Sequence, residues 1–306
     1  MNAAPTPVKP LFPRVGLLQV SLQCPRISRS SFKLVRRFWF YVHEYLLVPL
    51  SMWYMRRHGI SPDSAIYLLP FGLILKRHER VHEQEGHAMD LAHAMGLPAP
   101  KFISYGSIDS KWHFPSLLMT RLPGRPLDSI DPEQVDYDIL KVDLVKILTR
   151  MRSFASPWGK RVCGVSGGPV RGPLMPAAPL PACADEIAFQ EYIRWATGFA
   201  GRTGRDAERV VKGEEFFALP EHATVFTHGD LNHHNILVGD DGHICGIVDW
   251  EAAAWLPDYW EISVTTIVPQ RHWGRFMDKD VSDGVYEKEI EGHRAIFPLI
   301  SDTLSY

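Results

Sequence analysis

Cysteine is scarce in this sequence, with four residues among 306. The four lie far apart, and no two of them have the CxxC spacing of a metal site or a redox motif. Neither a disulfide framework nor a cysteine zinc site is therefore indicated, and a reducing compartment is expected. The cysteines are Cys24, Cys163, Cys183 and Cys245.

The sequence also lacks an excess of charge of either sign. Its 33 Lys and Arg residues nearly balance 35 Asp and Glu residues, whereas a nucleic-acid-binding protein usually carries a strong basic excess. We therefore expect no nucleic-acid partner. With 45% hydrophobic and 22% charged residues, the composition is that of an ordinary globular protein, and the length suits two domains or lobes of about 150 residues each.

No hydrophobic run is long enough to cross a lipid bilayer. The most apolar stretch covers residues 38–54 and contains His43, Glu44 and Pro49. A membrane-spanning helix needs about 20 consecutive apolar residues. We therefore predict a packed or interfacial helix here, and no stable membrane span.

Acidic residues are absent before Glu44, where basic residues are interleaved with serines. A start that is rich in Arg and Ser and poor in acids is typical of an organelle transit peptide. Four prolines, at positions 5, 7, 10 and 13, would break the amphipathic helix of such a peptide. We therefore predict a basic, disordered leader over residues 1–37 of a cytoplasmic protein, with mitochondrial targeting as the alternative.

A small β-rich unit is predicted over residues 38–122. Two apolar runs, 65–69 and 73–77, flank a Pro-Phe-Gly turn and predict a hairpin. The remaining predicted elements of this unit are a helix over 81–95, which has one apolar stripe, and extended segments at 101–105 and 116–121.

The pattern becomes mainly helical after Pro123 and Gly124, so that residues 123–306 are predicted to form a larger unit. A long amphipathic helix is expected over 132–154, followed by a Gly- and Pro-rich loop over 166–181. Its further predicted elements are helices over 185–195 and 205–217 and strands over 224–227, 235–238 and 244–248.

Three polar residues near the ends of these strands form a pattern that suits phosphoryl transfer. Asp230 and Asn235 are five positions apart in the stretch HGDLNHHN, and Asp249 follows fourteen positions later in GIVDWE. In phosphoryl transfer one carboxylate positions or deprotonates the acceptor hydroxyl, while an amide oxygen and a second carboxylate hold magnesium at the nucleotide phosphates. Each residue alone could be a turn or cap residue. Their shared order and spacing favour a site.

The two blocks resemble the aminoglycoside phosphotransferase and choline kinase-like family of small-molecule kinases, in its fungal type. That family has a loop H-G-D-x-x-x-x-N and a metal-binding strand that ends in I-[IV]-D-[WF]-E, and the resemblance extends from about Ala65 to Trp260. It implies an α+β, protein-kinase-like two-lobe fold with a small β-rich N-lobe and a larger, mostly helical C-lobe. It also implies that Asp230 is the catalytic base, that Asn235 and Asp249 bind Mg²⁺, and that His228 supports the loop.

Two residues of the small lobe are predicted to hold the nucleotide phosphates. In a kinase-like lobe a strand lysine contacts the phosphates and is held by a helix glutamate. Lys76 ends an apolar run and is the candidate, although a lysine at a strand edge can simply keep its head in water. The next helix offers Glu83 and Glu85. We assign the pairing to Glu85, because it shares the inward face with Ala88 and other apolar residues.

Residues 116–124 resemble the hinge between the lobes of this family. The resemblance places Met119 beside the adenine and gives the backbone from Thr120 to Leu122 the hydrogen bonds to the base. A methionine in an apolar strand is otherwise an ordinary core residue. ATP or GTP is the co-substrate that this resemblance implies.

One expected motif is missing. No G-x-G-x-x-G lies between Gly59 and Lys76, so no glycine-rich cradle over the phosphates can be recognised. The alternative function is therefore that of a pseudokinase, which binds a ligand or partner without turnover. A protein kinase is less favoured, because Gly229 replaces the Arg of protein kinases and the D-F-G and A-P-E signatures are absent.

The region from Asp249 to Tyr306 is acidic, with eleven Asp and Glu residues against five Lys and Arg residues. The family uses this region for the acceptor, so an acidic lining would favour a small cationic acceptor, such as an amino sugar. A solvated helix face is the alternative. Four residues could add an aromatic wall for a quaternary ammonium group, unless they form the core: Trp255, Tyr259, Trp260 and Trp273.

Overall fold

Residues 22–61, 63–108, 110, 112–172, 180–196, 198, 204–267 and 271–303 are described by the structure, a computed structural model of the chain. Residues 1–21 of the predicted leader and 173–179 of the predicted loop lie outside the described residues. The rest forms a small β-rich lobe followed by a larger, mainly helical lobe, as predicted.

The small lobe is a four-stranded antiparallel sheet with helices on both faces. Its strands are β1 (Ile66–Leu69), β2 (Leu73–Arg77), β3 (Phe102–Gly106) and β4 (Ser116–Thr120), and they lie in the order β1-β2-β4-β3. Its helices are α1 (Lys33–Val42) and α2 (Val48–Arg57), joined by a π-helical segment at His43–Leu47, and α3 (Glu83–Ala94). Side chains alternate across β4, since Leu118 shares a cluster with Leu47, whereas Leu117 joins the main core with α3.

The predicted hairpin and helix of this lobe are confirmed. Strands β1 and β2 pair in register, with Pro70–Gly72 as the turn. The predicted helix over 81–95 is α3, which begins later because His82 caps it. The Nδ1 atom of His82 accepts a hydrogen bond from the N–H of Gln84 at 3.1 Å.

The outer face of the small sheet is covered by one long helix, formed by α1, the π-helical segment and α2. This outer helix begins at Lys33, inside the predicted leader. Arg36 forms an ion pair with Glu83 of α3 at 2.6 Å, and the N–H of Ser31 donates to the same carboxylate at 2.9 Å. Before them, Cys24 and Ile27 pack against the main core, and the hydroxyl of Ser28 donates to Asp90 of α3 at 2.8 Å. The expected disorder therefore does not extend over residues 22–37.

The larger lobe is mainly helical. Its long helix α4 (Tyr137–Arg152) starts later than the predicted Pro132, because Asp131 and Asp136 cap two separate elements, a 3₁₀ turn at Pro132–Gln134 and α4 itself. The other helices are α5 (Glu186–Ala196), α6 (Ala207–Phe217), α7 (Trp260–Ile267), α8 (Arg271–Arg275) and α9 (Glu287–Thr303). None of the helices within the described ranges is long and apolar enough to span a membrane.

Short strands bring the two motif blocks together. The strands are β5 (Arg125–Pro126), β6 (Cys163–Gly164), β7 (Thr224–Thr227), β8 (Ile236–Val238), β9 (Ile244–Ile247) and β10 (Ala254–Pro257). They form two sheets, in the orders β6-β10-β7 and β5-β8-β9. Strand β7 ends immediately before His228, and β9 ends shortly before Asp249. The N–H of Val248 donates to the carbonyl of Asn235 at 2.9 Å, which ties one block to the other.

Candidate active site

Lys76 lies at the centre of a charge cluster that joins the two lobes. Its Nζ is 3.0 Å from Oε1 of Glu85, 2.8 Å from Oδ1 of Asp249 and 3.3 Å from Oε2 of Glu251. Lys76 and Glu85 are 8% and 1% exposed. The structure thus brings Lys76 and Glu85 together, as helical phase predicts, and it pairs Glu83 with Arg36 instead.

The protonation states of this cluster follow from burial and from its mixed charges. Burial alone would lower the pKa of Lys76, but the three carboxylates around it outweigh this effect, so its pKa is raised. Burial raises the pKa of Glu85 to about 7, and Lys76 opposes the shift. At Asp249, burial is outweighed by Lys76, so the pKa of the carboxyl group is lowered. The cluster therefore holds a permanent ammonium group beside an ionised Asp249.

Asp249 follows β9 in an unusual backbone conformation. Its φ and ψ are 63° and 62°, in the left-handed region, which costs about 1 kcal/mol or more for a residue other than glycine. The next residue, Trp250, is fully buried and donates its indole N–H to the carbonyl of Ile247 at 2.9 Å. Its ring also lies edge-on to the ring of His228. Trp250 is thus a packing residue that holds this strained turn.

His228 is the first residue of the segment 228–235, which we call the HGD loop. Its ring is fully buried, and burial lowers its pKa to about 4, so the ring is neutral. Its Nε2 donates to the carbonyl of Val248 at 3.0 Å, and its Nδ1 accepts from the N–H of Asp230 at 3.2 Å. A single tautomer satisfies both bonds. His228 therefore ties the HGD loop to the strand end that carries Asp249.

Asp230 is held in this loop by two side-chain amides. The Nδ2 of Asn232 donates to its Oδ1 at 2.5 Å, and the Nδ2 of Asn235 donates to its Oδ2 at 3.0 Å. Burial raises the pKa of Asp230 above its usual range, although these two hydrogen bonds act in the opposite direction. Because Asn235 uses its NH₂ group here, its carbonyl oxygen remains an acceptor, the kind of atom that a hard cation prefers.

Glu261 is a residue of this site that the sequence patterns did not indicate. It is buried in the first turn of α7, and its carboxylate accepts hydrogen bonds from the N–H of His228 at 2.6 Å and from that of Gly229 at 3.1 Å. Burial raises its pKa to about 7. The signal in the sequence was a single charged residue in a helix that carries no other charge, because a buried acid needs hydrogen-bond partners.

The predicted hinge residues lie where β4 leaves the small sheet. Met119 is buried in the main core, and Leu122 lies against Gly246 of β9. The N–H groups of Thr120 and Arg121 donate to carbonyls within the small lobe, at 3.0 and 2.7 Å. The hydrogens of these two amides are therefore already used within the small lobe, and the contact of the backbone from Thr120 to Leu122 with a nucleotide base stays a prediction.

The turn between β1 and β2 takes the place of the missing glycine-rich loop. It contains Pro70, Phe71 and Gly72, and Phe71 has a φ of 63° with 96% of its surface exposed. Three residues supply few backbone N–H groups, and Pro70 supplies none. The connection between β1 and β2 is thus a short turn. It is not a phosphate-binding loop whose sequence differs from the G-x-G-x-x-G motif.

The aromatic residues after Asp249 belong to the core. Trp255 and Tyr259 are 0% exposed, and Trp260 and Trp273 are 2% and 3% exposed. Of the two interpretations that the sequence left open, an aromatic wall around an acceptor and a packed core, the structure supports the core, because these rings pack inside the larger lobe. Several acids of the same region are paired with lysines on the surface: Asp278 and Glu287 with Lys279, and Glu291 with Lys212.

Comparison with known proteins identifies the fold and the family. The model of the phosphotransferase enzyme family matches residues 70–284. A thermostable mutant of the aminoglycoside phosphotransferase APH(4)-Ia in its apo form is 12% identical, with a TM-score of 0.56 over 83% of this chain and 92% of that chain. No match was found among curated proteins.

Two further solved structures have similar folds. The GDP and kanamycin complex of APH(2")-IIia is 12% identical, with a TM-score of 0.52 over 85% of this chain and 90% of that chain. The macrolide 2'-phosphotransferase MphH from Brachybacterium faecium, as apoenzyme, is 16% identical, with a TM-score of 0.51 over 85% of this chain and 92% of that chain. Because the matched family segment covers well over half of the chain and includes Lys76, the HGD loop and Asp249, the chain belongs to the phosphotransferase enzyme family and has its kinase-like, two-lobe fold.

Proposed function

We propose that this chain transfers the γ-phosphoryl group of ATP or GTP to a hydroxyl group of a small molecule. The observation that carries the proposal is the position of Asp230, whose carboxylate is held by Asn235 and Asn232. Beside it, Lys76 and Asp249 form an ion pair of 2.8 Å between the lobes. A base, an amide oxygen, a second carboxylate and a cation for the phosphates are thus supplied by neighbouring elements, the set that phosphoryl transfer requires.

Asp230 is the proposed catalytic base. Its raised pKa favours proton uptake, and the two amides orient its carboxylate. It would accept the proton of the acceptor hydroxyl as the oxygen–phosphorus bond forms and the nucleoside diphosphate leaves. His228 is proposed as a positioning residue, because its neutral, buried ring holds the loop and has both nitrogens in hydrogen bonds.

Asn235 and Asp249 are the proposed ligands of Mg²⁺. Amide and carboxylate oxygens are the donors that this ion prefers, and the side chain of Asp249 is 35% exposed, so that it can be reached from solvent. The group of Glu85, Asp249 and Glu251 suits a metal less well, because the ammonium of Lys76 already lies among its oxygens. Bound Mg²⁺ would offset the negative charge of the nucleotide phosphates.

The remaining predicted residues are proposed to bind the nucleotide. Lys76, oriented by Glu85, would contact the α- and β-phosphates. The base would lie against Met119 and meet the chain from Thr120 to Leu122. Because the N–H groups of Thr120 and Arg121 donate within the small lobe, we assign the amide that donates to the base to Leu122.

The acceptor is proposed to be a small hydroxylated molecule. The similar structures include APH(2")-IIia in complex with GDP and kanamycin and a macrolide 2'-phosphotransferase, which support this class of acceptor. A cationic acceptor is supported by the acidic excess after Asp249. Trp255 does not add to that support because it is buried in the core, and Glu291 does not because its charge is paired with Lys212.

A phosphorylation screen tests the proposal. Transfer from labelled ATP and GTP with Mg²⁺ would be measured against amino sugars, amino alcohols and other hydroxylated metabolites. We expect turnover that falls by about 10²- to 10⁴-fold in Asp230→Asn. Asp240→Asn is the matched control, since Asp240 is exposed in the turn between β8 and β9, and it should retain full activity.

Two outcomes of this screen would contradict the proposal. Mg²⁺-dependent nucleotide binding without turnover of any acceptor in a broad panel would favour the pseudokinase, a function that the short Pro70–Gly72 turn would suit. Failure to bind nucleotide at all would exclude both nucleotide-dependent functions.

A further inference from the structure

The outer helix of the small lobe has a second apolar face, which points away from the sheet. Its inward face is buried at Phe40, His43, Ser51 and Met55. Five large apolar side chains elsewhere on this helix are between 60% and 81% exposed: Leu34, Phe38, Tyr45, Leu46 and Trp53. Solvent exposure of so many large apolar groups on one element marks an interaction surface.

These side chains form one stripe along the helix. Leu34, Phe38, Tyr41 and Tyr45 follow one another at intervals of four, three and four residues, which is the spacing of a single helical face. Three α-helical turns take about 11 residues. The π-helical segment His43–Leu47 adds about one residue to a turn, so Trp53, twelve positions after Tyr41, returns to the same face.

Basic residues border this stripe. Lys33, Arg37, Arg56 and Arg57 are exposed. Glu44 is the single acid of residues 22–57, and it is paired with Arg77 at 3.0 Å. A cavity of about 360 Å³ beside the stripe is lined by residues that include Lys33, Arg36, Arg37 and Tyr41. The surface therefore combines exposed aromatic rings with positive charge and an open basic pocket.

We propose that this face docks onto an anionic lipid bilayer, with the outer helix lying in the plane of the interface. Trp and Tyr rings prefer the headgroup level of a membrane, and Lys and Arg beside them are attracted by anionic headgroups. A phosphate headgroup would enter the pocket between Lys33 and Arg37. A second copy of the chain suits the face less well, because it would bring the same basic residues together. The inference does not depend on the proposed phosphoryl transfer.

Sedimentation of the full chain with lipid vesicles tests the docking. Vesicles of phosphatidylcholine alone would be compared with vesicles that also contain phosphatidylserine. We expect binding to the anionic vesicles, release as salt is raised, and a much lower bound fraction on neutral vesicles. The double variant Lys33→Gln, Arg37→Gln should lower the partition coefficient on the order of tenfold, since it removes two charges near the surface.

Removal of the aromatic groups should have a similar effect. Phe38→Ser combined with Trp53→Ser should also lower partitioning on the order of tenfold or more, because their apolar surface no longer enters the bilayer. The matched control is Trp195→Ser with Lys146→Gln, in which a 74% exposed indole and a 71% exposed lysine side chain of the larger lobe are replaced. It should bind like the unaltered chain. Thermal unfolding would verify that each variant is folded.

Three results would overturn the docking proposal. The first is failure of the full chain to sediment with the anionic vesicles, and the second is equal sedimentation of the stripe variants and the control variant. The third is a concentration-dependent dimer, measured by light scattering, that Phe38→Ser with Trp53→Ser abolishes while vesicles bind neither form. That third result would identify the stripe as an interface between copies of this chain. The charge variant and the salt series contain no aromatic substitution. They therefore test binding to anionic vesicles even if Phe38→Ser with Trp53→Ser does not fold.

Discussion

The Nζ of Lys76 in the small lobe lies 2.8 Å from Oδ1 of Asp249 in the larger lobe. This ion pair connects strand β2 with the turn after β9, and both partners have proposed roles at the nucleotide. Lys76 would contact the phosphates, and Asp249 would hold their Mg²⁺. Nucleotide binding would then replace a direct contact between the lobes by contacts that pass through the phosphates and the metal.

Glu85→Gln should separate the role of Glu85 from that of Glu83. Both side chains are 1% exposed, but Glu85 pairs with Lys76 at 3.0 Å and Glu83 with Arg36 at 2.6 Å. A hydrogen bond between charged groups contributes about 1.5–3 kcal/mol. We therefore expect Glu85→Gln to lower kcat/KM for the nucleotide by about 10- to 100-fold, measured by steady-state kinetics.

Glu83→Gln is the matched control for this prediction. It should lower the unfolding temperature, because Arg36 and the N–H of Ser31 lose a charged partner, while kcat/KM changes little. Equal kinetic effects of the two substitutions would contradict the assignment of Glu85 as the partner of the phosphate lysine.

Glu261→Gln should impair turnover without affecting nucleotide binding. The carboxylate of Glu261 accepts from the N–H groups of His228 and Gly229, and an amide would offer one acceptor and place its NH₂ group against a backbone donor. We expect kcat to fall on the order of tenfold, with the nucleotide KM unchanged. Glu214→Gln, at an exposed carboxylate paired with Arg194, should leave both constants unchanged.

The pH dependence of kcat gives Glu261 a second test. Its pKa is raised to about 7 by burial, so protonation below that pH removes an acceptor from the HGD loop. In the unaltered chain kcat should decrease as the pH falls through about 7. In Glu261→Gln this decrease should be smaller, with the remainder coming from Glu85, whose pKa burial also raises to about 7. Identical pH profiles for the two proteins would show that Glu261 does not control the loop through its charge.

Local signals explain which parts of the molecule could be predicted from the sequence. The turn at Pro70–Gly72 and the spacing of Asp230 and Asn235 are properties of short segments, and the structure contains both features. Glu261 was missed because it meets Gly229 only when α7 packs beneath the HGD loop. No pattern around Glu261 specifies that contact.

The incorrect part of the leader prediction and the choice that the sequence left open for the aromatic residues have the same physical origin. The basic residues before Phe38 resemble a leader in the sequence, because the partner of Arg36 is Glu83, which lies 47 positions away. An aromatic side chain such as Trp255 suits a ligand wall as well as a core, and the packing of the larger lobe decides in favour of the core. Long-range contacts therefore limit prediction of the site more than local structure does.

His222 should make stability depend on pH in the alkaline range. Its ring lies between the carboxylates of Glu186 and Glu289, at 3.0 and 3.1 Å. Burial alone would lower its pKa, but these hydrogen bonds outweigh it and raise the pKa to about 9. Because the pKa is higher in the folded than in the unfolded chain, the stabilisation is fully present below about pH 6.5 and is lost as the pH rises through about 9.

Urea unfolding at several pH values would measure this contribution. Between pH 6.5 and 9 the unaltered chain should lose on the order of 3 kcal/mol of unfolding free energy from this site. His222→Gln should be less stable at pH 6.5 and should lack this part of the pH dependence. A slope that persists in His222→Gln would assign the effect to other groups.

Gly229→Ala should be far more damaging than Gly59→Ala. Both glycines have left-handed φ values, 81° and 66°, so the backbone cost of alanine is about 1 kcal/mol at either position. At Gly229 a Cβ atom would lie 2.6 Å from the carbonyl oxygen of Ala252, whereas at Gly59 it would meet no atom within 4 Å. Gly59→Ala should therefore lower the unfolding temperature by a few degrees and leave kcat unchanged.

Gly229→Ala must displace either the HGD loop or the turn after Asp249. We expect kcat to fall about 100-fold, because a displacement of about 1 Å at a catalytic group has that effect. Thermal unfolding and kcat measured side by side would distinguish the two, and normal turnover in Gly229→Ala would contradict the need for close contact between this loop and the Asp249 turn.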